Sequence, residues 1–182
     1  MKTFLETVNS EIVLADGAMG TELYVGGANT NKCYDELSLS DPERVKAVHK
    51  LYVEAGARLI ETNTFTANRF ALANFGLEDK VEEINVAAAK LARDSLQPGC
   101  FVAGAVGPVS WTKRGERNLN NEEVKAVFAE QIKALAQGCV DVILLETFLH
   151  LDELELAFQA ARETCQLPVI CNVSLKFIGN GE

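Results

Sequence analysis

Histidine is scarce in this chain of 182 residues, which has only His49 and His150. No Ser-His-Asp set for nucleophilic catalysis is apparent. Basic charge is short as well: 17 Lys and Arg against 26 Asp and Glu leave a formal net charge of -9. That balance argues against a general nucleic-acid or anionic-membrane binder. No apolar run is long enough to cross a bilayer, and the opening MKTFLETVNSE lacks the apolar stretch of a signal peptide. Neither nucleic acid nor membrane is expected as a partner, and a cytoplasmic location is expected. The five cysteines, Cys33, Cys100, Cys139, Cys165 and Cys171, include no CxxC pair. Cys139, Cys165 and Cys171 lie near or within apolar runs and are expected to behave as small hydrophobes. A reducing compartment fits, and the spacing argues against a zinc site made within this chain. Close repeats, low-complexity tracts and interdomain linkers are missing, and DGAMGT lacks the GxGxxG spacing of a dinucleotide site.

What is present is a folded composition, 48% hydrophobic and 24% charged, enough for one domain with a sizeable core. The chain is organised around Ile12 to Thr21, IVLADGAMGT. Ile12–Ala15 reads as a buried parallel strand. Gly17 and Gly20 suit a tight turn with close backbone approach to something small. Asp16 would attract an ammonium, and the N–H groups of the turn would hydrogen-bond a carboxylate, so the stretch suits both ends of a zwitterion.

Residues 1–11 suggest a short helix or cap, and 22–40 a polar connection long enough to be functional or a lid. Ser40-Asp41-Pro42-Glu43 starts a helix that Gly56 ends. His49 falls on its pattern and is expected to be a surface or helix-packing residue. Arg58–Phe65 is a short strand turning polar, 67–75 a short helix stopped by Gly76, and Lys80–Leu96 a longer helix. Phe101–Ala105 is a strand. Residues 109–121 are a polar loop with Trp111, Lys113, Arg114 and Arg117. Glu122–Gln137 is a helix, Val140–Leu145 a strand ending in Glu146-Thr147-Phe148, Leu151–Thr164 a helix and Val169–Val173 a strand. His150 follows a strand-end motif; it reads as opening the next helix, with a place near the site as the alternative.

Five alternations of strand and helix imply a parallel sheet with helical crossovers, either doubly wound or a (β/α) barrel. Polar or Gly-rich residues follow every strand: Asp16-Gly17, Glu61-Thr62-Asn63, Gly107-Pro108, Glu146-Thr147 and Asn172–Ser174. A barrel gathers all these ends on one face, whereas a doubly wound sheet uses one switch point. The barrel is therefore favoured. Its face carries Asp16, Glu61 and Glu146 with Thr62, Asn63 and Thr147, a set suited to an amino acid; a sugar or a metal would also find ligands there.

ADGAMGTELY, the stretch NKCYDELSLSDPERVKAVHKLYVEAGARLIETNTFTANRF, GLEDKVEEIN, GPV and DVILLETF resemble the homocysteine S-methyltransferase family. That family includes the homocysteine-binding modules of cobalamin-dependent methionine synthases, betaine–homocysteine methyltransferases and a form fused to a methylenetetrahydrofolate reductase. The resemblance implies a (β/α)8 TIM barrel, of which residues 1–182 hold the N-terminal portion, about five β/α units. It implies homocysteine as partner, surrounded by Asp16, Gly17, Ala18, Met19, Thr62, Asn63 and Glu146. It also implies a zinc ion that favours the thiolate, and a methyl donor: methyltetrahydrofolate, cobalamin, betaine or S-methylmethionine. The family's GxNC-like and GGCC-like zinc segments do not occur up to Glu182, and Cys171 lies too early to be a ligand. The chain is thus expected to be a fragment without the zinc cysteines, inactive by itself and inclined to self-associate. Two alternatives stand beside the transferase: a non-catalytic amino-acid-binding or partner-completed partial barrel, and a sugar- or phosphate-handling barrel.

Overall fold

In the computed structural model, residues 2–29, 31–111 and 119–175 are described. Lys113, Arg114 and Arg117 of the expected polar loop lie outside them, as does the end of the chain from 176 onward. Four strands, β1 (Leu59–Glu61), β2 (Phe101–Val106), β3 (Val142–Phe148) and β4 (Val169–Val173), form one parallel sheet in the order β1-β2-β3-β4. Each new strand is added on the same side of the last. A doubly wound sheet reverses its order, so this is the barrel arrangement.

Eight helices accompany the strands among the described residues: α1 (Phe4–Val8), α2 (Met19–Val25), α3 (Leu37–Ser40), α4 (Pro42–Glu54), α5 (Arg69–Leu72), α6 (Val81–Asp94), α7 (Asn121–Gln137) and α8 (Leu151–Thr164). Local chemistry sets their ends. Pro42 occupies the first turn of α4, and the Asn120 and Glu123 side chains each accept the other's backbone N–H in a capping box at α7. His150 is the N-cap residue of α8 and is exposed. None of these helices is long and apolar enough to cross a membrane.

Strand alternation divides the apolar residues. Ile60, Val102, Val106, Ile143 and Leu145 pack on one face against α6, α7 and α8. Leu59, Phe101, Ala103, Val142 and Leu144 form the other face with Phe4 of α1, whose ring meets Phe101 edge-on at 5.5 Å. A fully buried residue such as Ile143 contributes about 1.5–3 kcal/mol by leaving water.

Several expectations need correction. Ile12–Ala15 is not a buried strand. It makes one isolated bridge, Ala15 to Leu59, and Ile12 and Leu14 are 94% and 58% exposed. Among the described residues the one strand it adjoins is the three-residue β1, and Val13 alone of its apolar residues packs against the interior cluster. Residues 22–40 are not one polar connection: α2 runs through their first part because Leu23 is fully buried, and α3 lies near their end. Strand β3 continues past Leu145 to Phe148. Cys139 and Cys171 are exposed rather than apolar filling, while Cys33 is buried. His49 is fully buried on α4, with no partner for either ring nitrogen among the described residues.

Candidate functional site

A cavity of about 550 Å³ opens at the C-terminal ends of the strands. Alternation explains what it receives from the sheet. Glu61, Ala105 and Glu146 share the parity of Leu59, Ala103 and Leu144, so they continue the interior face up to its rim. Asp16 arrives from the segment bridged to β1, its N–H donating to Leu59 O at 3.0 Å. Asp16, Gly17, Ala18, Met19, Thr62, Asn63 and Glu146, the residues singled out from sequence, all line this one cavity. His150 does not.

Gly17 does serve a close approach, but to protein. A Cβ there would sit 3.1 Å from Tyr52 Oη, and that hydroxyl donates to Ala18 O at 3.3 Å. Gly20 lies within α2, so the two glycines do not form one tight turn.

The acids have strained electrostatics. Asp16 Oδ2 accepts the Glu61 N–H at 3.0 Å, whereas Oδ1 is buried with no partner among the described residues. Burial, opposed by its backbone hydrogen bonds and reinforced by Glu146, pushes Asp16 up to about 7. Burial, then repulsion from Glu146 and Asp16, pushes Glu61 up to about 8. Burial also raises Glu146. No lysine or arginine is among the described residues lining the cavity, so none of those residues offers the three carboxylates a cation. Such a set is suited to a ligand that brings one.

Thr62 and Asn63 spend their side chains on the cavity wall. Thr62 Oγ1 lies 2.6 Å from Thr64 Oγ1 and accepts the Ala105 N–H at 3.0 Å, while Asn63 Nδ2 donates to Tyr34 O at 2.7 Å. Sequence reasoning passed over Tyr34, Asp35, Phe65 and Thr66, which also line the cavity. Asp35 is the organising member. Buried, it accepts the Thr66 N–H at 3.1 Å, the Thr66 hydroxyl at 2.5 Å and the Cys33 thiol at 3.6 Å. Burial raises Asp35, and burial with the neighbouring carboxylate pushes Cys33 up to about 12. The length of the connection between α2 and α4 pointed to function there, but no local pattern marks Asp35.

Zinc does not fit the described residues. No group of three or more His, Cys, Asp and Glu among them is placed to hold a metal ion. The buried Cys33 thiol is committed to Asp35, and the raised thiol stays protonated, the wrong form for a ligand.

The fold recurs in crystal structures of the homocysteine methyltransferase MmuM from Escherichia coli. The metallated form is 25% identical with a TM-score of 0.79, over 89% of this chain and 63% of that one. The oxidized form gives 25% and 0.79, over 89% and 62%. The apo form, at 24% identity and a TM-score of 0.74, shows the shared fold over 93% and 62%. The chain therefore spans 62–63% of the length of these structures and matches part of their barrel. The sequence profile of homocysteine S-methyltransferases matches residues 13–180. Since that match takes in most of the sequence, the chain belongs to the homocysteine S-methyltransferase family.

Proposed function

We propose that this chain carries the amino-acid-binding part of a homocysteine S-methyltransferase site. The observation that carries the reading is the cluster of Asp16, Glu61 and Glu146, raised by burial and without a cation of the protein's own among the described residues. The ammonium of homocysteine supplies that cation. Asp16 and Glu146 receive it, and the backbone from Gly17 to Met19 faces the substrate carboxylate. Thr62 and Asn63 shape the wall through Ala105 and the Tyr34 carbonyl.

Held in this way, homocysteine presents its sulfur to a methyl donor. In the overall reaction the homocysteine thiol gives up its proton to solvent, the sulfur–methyl bond forms as the donor–methyl bond breaks, the bonding pair stays with the donor, and the product is methionine. The described residues account for binding and orienting the amino-acid end. The exposed apolar residues along the sheet edge suit self-association of the chain.

Calorimetric titration with L-homocysteine tests the reading, with 4-mercaptobutanoate, which lacks the ammonium, as the control. Homocysteine is expected to bind and the control to fail. Glu146→Gln keeps shape but removes charge, and should weaken homocysteine binding by about 1.5–3 kcal/mol, the range for hydrogen bonds to charged groups. Equal binding of both compounds, or unchanged affinity in the variant, overturns the assignment.

A further inference from the structure

Strand β3 is irregular where it meets the cavity. Leu145 pairs with Cys171 and Phe148 with Val173. Glu146 and Thr147 thus stand opposite the single residue Asn172. Two residues facing one is the arrangement of a β-bulge, which re-aims side chains. Thr147 has φ 61°, in the left-handed region that β-branched residues avoid. Such strain persists where the surroundings hold it, and it clusters at ligand sites. The holding contact is present: the Thr147 N–H donates to Asn172 Oδ1 at 3.1 Å. Pairing resumes beyond it, with the Ser174 N–H donating to Phe148 O at 2.9 Å.

The bulge changes where the side chains go. Leu144 faces the interior cluster and Leu145 the helix-side cluster. Strict alternation would send Glu146 inward, Thr147 outward and Phe148 inward. Instead Glu146 and Thr147 both line the cavity. Phe148 is fully buried on the helix side, its ring centroid 5.9 Å from that of Phe128.

We propose that Asn172 is a positioning residue: by holding the Thr147 N–H it pins the bulge that turns Thr147 into the cavity beside the inward-facing Glu146, and so fixes the surroundings of the Glu146 carboxyl. Asn172 does not line the cavity and acts through the backbone of Thr147. Its meaning for function rests on the reading of Glu146 as an ammonium partner; the positioning itself does not.

The test uses the full chain with ¹³C-labelled glutamate side chains, and follows the titration of Glu146 together with hydrogen exchange at the Thr147 amide. Asn172 is exposed, so Asn172→Ala leaves the core intact. In that variant the Thr147 amide should exchange faster, and Glu146 should titrate nearer the ordinary glutamate value of ~4.3 as its carboxylate gains water. Asn172→Asp retains an acceptor and should keep the Thr147 amide slow. A lowered melting temperature in Asn172→Ala with unchanged Glu146 titration would mean a merely structural contact and overturn the proposal. Neither readout needs a ligand. If homocysteine fails to bind the wild type, the functional reading falls, while the positioning role is still decided by the Glu146 titration.

Discussion

Glu61 shows how one residue couples the site to stability. Its carboxyl is raised from 4.5 to about 8 by burial and by the two acids beside it, and Asp16 is raised from 3.8 to about 7. The folded protein therefore holds protons that the unfolded chain has released. Their contribution is fully present below the unfolded values near pH 4 and is lost as pH rises through 7 to 8. His49 acts in the opposite sense: burial lowers it from 6.5 to about 4, so it costs stability as pH falls below 6.5 toward 4. Glu61→Gln should flatten the decline between pH 4.5 and 8 and leave the acid-side loss in place. Denaturant unfolding at a series of pH values measures this, and an unchanged slope above pH 6 would rule out Glu61 as its source.

At the scale of elements, the cavity wall depends on two loops held together. Asp35, just ahead of α3, takes the N–H and hydroxyl of Thr66 from the connection after β1, and Asn63 of that connection returns a bond to Tyr34 O. Gly107, after β2, completes the fit, because a Cβ there would meet Phe65 at 2.6 Å. Asp35→Ala strands the Thr66 donors and frees the Tyr34 segment. It should cost about 1–3 kcal/mol of stability, the usual penalty for unsatisfied buried groups, and weaken ligand binding in the same cavity. Chemical denaturation and calorimetry measure the two effects; a variant as stable as the wild type would show that the clamp carries no weight.

Across the fold, the deciding feature is a sheet margin that none of the described residues covers. Ile12, Leu14 and Leu175 are 94%, 58% and 90% exposed, and among the described residues the segment at Ile12–Ala15 pairs through a single isolated bridge. Apolar side chains beside unpaired backbone favour association. Sedimentation velocity over a range of concentrations should show a sedimentation coefficient that rises with concentration. A concentration-independent monomer that unfolds cooperatively would refute this.

From α4 onward the order of helices and strands, together with the polar strand ends, was legible in the sequence, because these follow from period, capping and turn chemistry within a few residues. Leu151–Thr164 and Val169–Val173 were legible to the residue for that reason. The convergence of Asp16, Thr62, Asn63 and Glu146 was legible too, since a barrel brings every strand end to one face. The rest depended on contacts between distant parts of the chain. Ile12–Ala15 has a strand's composition, but a strand needs a neighbour to supply its hydrogen bonds. The Asp35 clamp joins residues 31 positions apart, and the bulge at Thr147 depends on Asn172, 25 positions away. Local patterns carry no trace of such pairings, because their energy exists only once the chain has brought the partners together.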